Sequence, residues 1–135
     1  MEVSKLTEIS NLVLEAVELA SDIVMEIYNS DDLKVEDKHD GSPVTIADKK
    51  CHEILFNSLK SIDANIPILS EEGDTEENKE DLFWLIDPLD GTKEFINKNG
   101  EFTVNVALIE DGMPILGVVS APAVHETFIG FAGRA

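Results

Sequence analysis

The chain has 135 residues, of which 43% are hydrophobic, and this apolar content excludes a disordered tail and is enough for one domain with a core. It carries 28 acidic residues against 10 Lys and Arg, which gives a formal net charge of −18. That charge excludes electrostatic binding to nucleic acid or to an anionic membrane, because both need a basic surface.

Two features predict a cytoplasmic protein. Cys51 is the single cysteine, which excludes an internal disulfide and indicates a reducing compartment. The N-terminal sequence is acidic and lacks the pattern of a secretory signal, and no apolar stretch approaches the roughly 20 residues that span a bilayer. We therefore expect no membrane contact.

Two helices are predicted in the first half of the chain. Apolar residues recur at three- and four-residue steps, which predicts a long helix over about residues 5–29. Thr45 and Asp48 fit a helix-capping pattern, so a second helix is expected to begin at Thr45, after a loop at 40–43. Alternation at 33–38 is compatible with a strand between them.

Strands are predicted in the rest of the chain. The run at 82–86 is continuously apolar, which is typical of a buried strand, and it stops at Asp87 and Pro88. The turn sequence at 110–113 separates two apolar segments and predicts a hairpin. The remaining strand candidates are residues 66–69, with Pro67 favouring a sheet edge, and residues 124–131. This order predicts an α+β fold with a mostly antiparallel sheet.

The segment from Trp84 to Phe95 carries the strongest chemical signal. A strand ends in Asp87 and Asp90, and Gly91 then permits a tight backbone. Carboxylates thus lie beside backbone N–H groups. Carboxylates bind hard divalent cations, and backbone N–H groups bind phosphate oxygens.

Glu71 and Glu72 directly follow the candidate strand at 66–69, and the ends of separate strands can converge in a sheet. Two carboxylates ~4 Å apart repel by roughly 4 kcal/mol at an effective dielectric constant of 20, so such a cluster holds either a proton or a metal ion. An all-oxygen set favours Mg²⁺ over Zn²⁺. The cation would also shield an anionic substrate from a chain with a charge of −18.

Structural interpretations of the same residues stay open at this point. Asp87 and Asp90 suit an Asp-Pro turn with a helix cap, and Asp48 suits the first turn of a helix, where the dipole favours an acid. Glu71 and Glu72 suit a solvated acidic loop. The remaining assignments are that Cys51 and Trp84 lie in the core, that His39, His52 and His125 have packing or surface roles, and that Lys93 contacts either phosphate or Glu94.

Three motifs in this order resemble a known family. They are Gly41 to Asp48, Glu71-Glu72 after Leu69-Ser70, and Trp84 to Ile96. Together they resemble the Mg²⁺-dependent, lithium-sensitive phosphatases of the inositol monophosphatase superfamily. Residues 93–96 and 99–105 are most similar to the CysQ-type 3′(2′),5′-bisphosphate nucleotidases.

The resemblance implies a role for each matched residue. Two or more Mg²⁺ ions would be held by Glu71, Asp87, Asp90 and the backbone carbonyl of Leu89. Gly91 and Thr92 would bind the scissile phosphate through their N–H groups, so the substrate-binding set is Glu71, Leu89, Asp90, Gly91 and Thr92. Asp48 and Thr92 would form the catalytic pair that orients and deprotonates the attacking water.

The implied reaction removes the 3′-phosphate of adenosine 3′,5′-bisphosphate, giving AMP and phosphate, or that of 3′-phosphoadenylyl sulfate. Removal of either substrate would tie the enzyme to sulfur assimilation. Two alternatives remain: a phosphatase of inositol phosphates, and a non-catalytic metal-binding or interaction module.

The resemblance also implies a fold. Residues 1–135 would form the N-terminal α+β metal-binding domain of the layered α/β/α/β/α phosphatase fold, with long helices on a mostly antiparallel sheet. A C-terminal α/β domain would be absent. We therefore expect weak or no activity from this chain, and apolar surface that favours self-association or association with the missing half.

Overall fold

The computed structural model describes residues 2–29, 43–70, 81–91, 94–95 and 99–131. Within these ranges the elements are α1 (Val3–Tyr28), α2 (Pro43–Ile62), β1 (Ile68–Ser70), β2 (Leu82–Asp90), β3 (Thr103–Glu110), β4 (Met113–Ala121), a 3₁₀ turn (Pro122–Val124) and β5 (Glu126–Phe131). The predicted α+β class is confirmed. The strand candidate at 33–38 and the acidic loop at 71–80 lie outside the described residues.

The long N-terminal helix is confirmed to within two residues at each end. Its apolar stripe is buried, and Val13, Val17 and Val24 have no exposed surface. The second helix begins at Pro43, so the prediction of a start at Thr45 was wrong by two residues. Proline suits the first helical position because that residue donates no hydrogen bond within the helix. Neither described helix is long and apolar enough to cross a membrane.

The five strands form one sheet in the order β1-β2-β3-β4-β5. β1 is parallel to β2, and every other neighbouring pair is antiparallel. The predicted hairpin is confirmed: Asp111 and Gly112 both have positive φ, at 52° and 79°, between the paired residues Glu110 and Met113. Two positive φ values match the twist of the flanking strands. β1 lies at the edge of the sheet, as Pro67 indicated.

The second strand differs from its prediction in two ways. It does not stop at Asp87 and Pro88 but continues to Asp90, with a register shift against β3 between Asp87 and Asp90. That irregularity accommodates a proline, which has no N–H for the ladder. The strand is also buried on one face only, because Leu85 is 40% exposed while Trp84 and Ile86 are fully buried.

The two faces of the sheet therefore have different surroundings. The inner face, with Trp84, Val106 and Val118, forms one core with both helices. The outer face carries Leu85, Val119 and Phe128, which are 40%, 36% and 58% exposed. A shallow cavity of about 360 Å³ opens between β2, β3 and β4 beside Leu85 and Val119.

Candidate active site

Because β1 and β2 are parallel, their carboxyl ends lie at the same end of the sheet. Ser70 and Ile86 are register partners, and they directly precede Glu71 and Asp87 in the chain. Neighbouring strands lie about 4.8 Å apart. Glu71, Glu72, Thr92 and Lys93 themselves lie outside the described residues.

Helix α2 lies against this edge and brings Asp48 to it. The Cys51 thiol donates a hydrogen bond of 3.0 Å to the carbonyl oxygen of Pro88, the residue after Asp87. Asp48 precedes Cys51 by three residues, which places both on one side of the helix. Asp48 is only 8% exposed. The structure thus brings together Asp48 from α2 and the Asp87–Pro88 segment of β2, which are about 40 residues apart in sequence.

The pKa of the Cys51 thiol is consistent with Asp48 and Asp87 both lying near it. Burial raises the pKa of the thiol, and the negative charges of Asp48 and then Asp87 raise it further, to about 12. Both carboxylates therefore act on one sulfur atom. At neutral pH the thiol stays protonated, so it is neither a nucleophile nor a thiolate ligand. The prediction that Cys51 is a core residue is confirmed by its complete burial.

The last four residues of β2 are Asp87, Pro88, Leu89 and Asp90. Asp87 is half-buried, Leu89 is buried and Asp90 is exposed. Asp90 is paired with Thr103 beyond the register shift. The structure therefore places Asp87, Leu89 and Asp90 together in the last four residues of β2.

Gly91 turns the backbone at this point with a φ of +93°. A Cβ atom there would lie 3.1 Å from the carbonyl oxygen of Glu101 and 3.2 Å from the Cα atom of Phe102. The Gly91 carbonyl accepts a hydrogen bond of 2.9 Å from the N–H of Phe95, and Glu94 and Phe95 are helical. Glycine is required here both by its backbone angle and by the close approach of a second backbone segment.

An aromatic cluster that sequence reasoning missed supports this turn. Tyr28 at the end of α1 contacts Phe95 and Phe102, with ring centroids 5.3 and 4.8 Å apart, and the two phenylalanines contact each other at 5.2 Å. Phe95 and Phe102 are fully buried. Tyr28 is far in sequence from the two phenylalanines, so no local pattern signals its contact with them.

His52 makes a contact with β1 that the sequence did not indicate. Its Nδ1 atom lies 2.9 Å from the hydroxyl oxygen of Ser70, the last residue of β1. His52 is 9% exposed and its ring lies 5.6 Å from that of Phe56, which confirms the packing role predicted for it. The available signal was its spacing of four residues from Asp48, which puts both on one helix face.

The donor atoms at this edge suit a hard cation. They are carboxylate and carbonyl oxygens, and the nearby sulfur is protonated, so the set favours Mg²⁺ over Zn²⁺. Across the part of the chain that the structure describes, no group of three or more His, Cys, Asp or Glu side chains could hold a metal ion. A complete site needs a further donor, and the predicted one, Glu71, lies outside that part.

The sequence of this chain is similar to those of known proteins. Residues 5–135 match the model of the inositol monophosphatase family. The chain is 45% identical over 120 residues to the 3′(2′),5′-bisphosphate nucleotidase CysQ of Escherichia coli (strain K12), covering 86% of this chain and 49% of that protein. It is 44% identical over 122 residues to the CysQ protein of Buchnera aphidicola, covering 86% of this chain and 45% of the other.

Solved structures give the same result. The crystal structure of CysQ from Bacteroides thetaiotaomicron superposes with a TM-score of 0.84 at 38% identity, covering 92% of this chain and 46% of that one. Inositol monophosphatase from Anabaena superposes with a TM-score of 0.80 at 27% identity, covering 95% and 45%. The chain thus spans about half the length of the relatives that it matches.

Proposed function

Because this chain belongs to the inositol monophosphatase family, we propose that it is the metal-bearing part of a Mg²⁺-dependent phosphomonoesterase. One observation carries the proposal: Cys51, one helical turn after the buried Asp48, donates a hydrogen bond of 3.0 Å to the carbonyl oxygen of Pro88, the residue after Asp87. Asp48 from α2 and Asp87 from β2 would form the core of the site that the motifs predict.

The substrate class follows from the relatives. The similar proteins from Escherichia coli and Buchnera aphidicola are named as 3′(2′),5′-bisphosphate nucleotidases. The proposed substrates are accordingly adenosine 3′,5′-bisphosphate, converted to AMP and phosphate, and 3′-phosphoadenylyl sulfate. A cytoplasmic location agrees with these substrates and with the single cysteine, and it stays a prediction.

Metal binding is assigned to Glu71, Asp87, Asp90 and the carbonyl oxygen of Leu89, with two or more Mg²⁺ ions. Glu71 is included because it follows Ser70 directly in the chain, and Ser70 is the register partner of Ile86, the residue before Asp87. Bound Mg²⁺ would supply Lewis-acid chemistry, lowering the pKa of water and neutralising phosphate oxygens.

The other residues would bind and orient the reactants. Asp48, buried at the amino-terminal part of α2, would hold the attacking water together with the Thr92 hydroxyl and take its proton. The N–H groups of Gly91 and Thr92 would bind the phosphate, and the positive φ of Gly91 directs the backbone at that point. The displacement would proceed in line, with inversion at phosphorus.

A further α/β domain is part of the proposal, because the matched relatives are about twice as long as this chain. Such a domain would supply the nucleoside pocket and complete the metal site. Residues 1–135 alone would then bind Mg²⁺ with weak or no turnover. The exposed outer face of the sheet is a candidate surface for self-association or for contact with that domain.

The test combines Mg²⁺ calorimetry with phosphate release from adenosine 3′,5′-bisphosphate. Asp87→Asn removes a charged metal ligand and is expected to abolish Mg²⁺ binding. Glu8→Gln is the charge-matched control, since it also removes one negative charge and Glu8 is exposed on α1. Glu8 lies about 30 Å along the helix from Tyr28, the residue of α1 that contacts Phe95 and Phe102 near the Gly91 turn. Unchanged Mg²⁺ binding by Asp87→Asn would refute the metal assignment.

Turnover separates the alternatives. Phosphate release that lithium inhibits would support the nucleotidase. Preference for inositol 1-phosphate would support the sugar-phosphatase alternative. If the chain binds Mg²⁺ but shows no turnover even when a second domain is present, a non-catalytic module would be supported.

A further inference from the structure

β5 is the last strand of the sheet, and within the described part of the chain one of its two sides is open. The strand order is β1-β2-β3-β4-β5, and β5 pairs with β4 alone. No other backbone hydrogen bond among the described residues reaches it. The backbone N–H and C=O groups on its far side can therefore accept a further strand.

The sequence of β5 lacks the features by which natural proteins protect an edge strand. Such strands carry lysine or proline, or are interrupted by a bulge. Residues Glu126–Phe131 include neither lysine nor proline, and all six pair with β4 without a register shift. Glu126, at the start of the strand, is the single charged residue. Such an edge favours the addition of a strand.

Apolar side chains of β5 are exposed on both faces of the sheet. Phe128 lies on the outer face with its register partner Val119, and it is 58% exposed. Ile129 lies on the inner face beside Val118, but Val118 is fully buried whereas Ile129 is 37% exposed. A strand placed beside β5 would cover both side chains at once.

We propose that β5 pairs in antiparallel orientation with β5 of a second copy of this chain, which joins the two sheets into one. The two copies are related by a two-fold axis perpendicular to the sheet, so their helices lie on the same side of it. The inference goes beyond the proposed function, because it involves neither metal nor substrate.

The second copy is favoured as the partner because the strand is complementary to itself. Directly opposite residues of an antiparallel pair point to the same face, so the pairing can be centred on Phe128 or Ile129 but not between them. Centred on Phe128, it places the two most exposed rings together, Thr127 opposite Ile129, and Glu126 opposite Gly130. Aromatic and β-branched pairs stabilise a sheet, and no two acids are opposite each other. The alternative register places Phe128 opposite Gly130 and loses the aromatic pair.

Charge and size limit the strength of this pairing. Glu18, Asp22 and Glu126 line a cavity of about 420 Å³ between α1 and β5, and pairing brings these acids of the two copies closer together. Each copy also carries a formal charge of −18. The range of this repulsion falls from about 10 Å at 0.1 M salt to about 3 Å at 1 M. We therefore expect a weak dimer, as is usual for interfaces below about 1,200 Å², and one that strengthens with salt.

Three lysine variants separate pairing at the edge from stacking of the outer faces. Phe128→Lys and Ile129→Lys change the outer and inner sides of β5. Leu85→Lys is the matched control, because Leu85 is 40% exposed on the outer face but lies on β2, three strands from β5. All three substitutions change the net charge equally. Dimerisation is measured by sedimentation velocity over a series of protein concentrations, without Mg²⁺, in about 0.1 M and about 1 M NaCl.

Edge pairing predicts at least about tenfold weaker dimerisation for Phe128→Lys and Ile129→Lys, and a parent-like value for Leu85→Lys. The Phe128 variant places two lysines directly opposite each other, which adds repulsion to the loss of the aromatic pair. Stacking of the outer faces predicts a different result, because Leu85→Lys would then weaken dimerisation and Ile129→Lys would not.

Cross-linking provides a second measurement if a lysine variant fails to fold. In the proposed register residue 128 lies opposite its own copy, so Phe128→Cys is expected to form a disulfide dimer under mild oxidation. Val124→Cys is the control, because Val124 is 54% exposed but lies before β5. We expect cross-linking about tenfold faster at residue 128 than at residue 124. The buried Cys51 does not compete.

A parent chain that stays monomeric at both salt concentrations would overturn the inference. Parent-like dimerisation of a folded Ile129→Lys variant would do the same, as would equal rates of cross-linking at residues 124 and 128. Circular dichroism of each variant establishes whether it is folded. Because none of these measurements involves Mg²⁺ or phosphate release, failure of the dimer leaves the proposed function standing, and failure of Mg²⁺ binding leaves the dimer standing.

Discussion

Replacement of Gly91 by alanine tests the backbone turn at the centre of the candidate site. Gly91 has a φ of +93°, and an added Cβ atom would lie 3.1 Å from the Glu101 carbonyl oxygen and 3.2 Å from the Cα atom of Phe102. Both neighbours are backbone atoms, so neither can move aside by a change of side-chain rotamer. Gly91→Ala therefore combines an unfavourable backbone angle with a steric contact.

The two effects can be estimated separately. A positive φ at a residue with a Cβ atom costs roughly 1–2 kcal/mol, and overpacking costs typically 1–3 kcal/mol. Alanine recovers about 0.4–1 kcal/mol by reducing the entropy of the unfolded chain. The net loss for Gly91→Ala is about 1–5 kcal/mol, compared with the roughly 5–15 kcal/mol that stabilises an ordinary domain.

Gly112→Ala is the matched control. Gly112 has a similar φ of +79°, but a Cβ atom there would have no neighbour within 4 Å. Its expected cost is about 1 kcal/mol, from the backbone angle alone. Urea denaturation followed by circular dichroism gives both free energies of unfolding, and the slope with urea should stay unchanged. If the free energies of unfolding of Gly91→Ala and Gly112→Ala differ by less than about 0.5 kcal/mol, the close backbone approach at Gly91 does not exist as described.

Two further predictions concern Cys51 and the outer face of the sheet. At pH 8 the Cys51 thiol of the folded chain should react with iodoacetamide about a thousand times more slowly than that of the urea-unfolded chain. The reason is that folding raises the pKa of this thiol from 9.0 to about 12, which lowers the fraction of reactive thiolate. Equal reaction rates would contradict the burial of Cys51 beside Asp48 and Asp87. Since the folded pKa exceeds the unfolded one, this residue's contribution to stability is complete below about pH 9 and is lost as the pH rises towards 12, which pH-dependent urea titrations can measure. Phe128→Lys should reduce self-association of the chain in sedimentation velocity, whereas Val3→Lys, equally exposed on α1, should not; a parent chain that stays monomeric would contradict this expectation.

The local pattern was informative wherever one face of an element is buried along its whole length. The three- and four-residue apolar spacing of α1 gives a continuous buried stripe, so both ends of the helix were predicted to within two residues. The Asp111-Gly112 turn requires two positive φ values, which few residue pairs adopt, so the hairpin could be predicted from two residues. The motif order was specific enough to identify the family.

Local pattern failed where neighbours in space decide the outcome. The run at 82–86 suggested a buried strand, but the two described helices pack against its inner side, and Leu85 on the other side is 40% exposed. Asp87 and Pro88 suggested a strand end, yet the register shift against β3 lets β2 continue to Asp90. These features depend on what packs against the strand, which its own residues do not encode.

The candidate site shows the same division. The sequence by itself predicted the chemistry proposed for the site: acids near a strand end, a glycine that permits a positive φ, and a second acid on a helix. Only the tertiary structure decided that Asp48 and Asp87 act on one buried thiol and that His52 meets Ser70 at the end of β1. Those contacts join residues 18 or more positions apart, and they form because α2 packs across the edge where two parallel strands end.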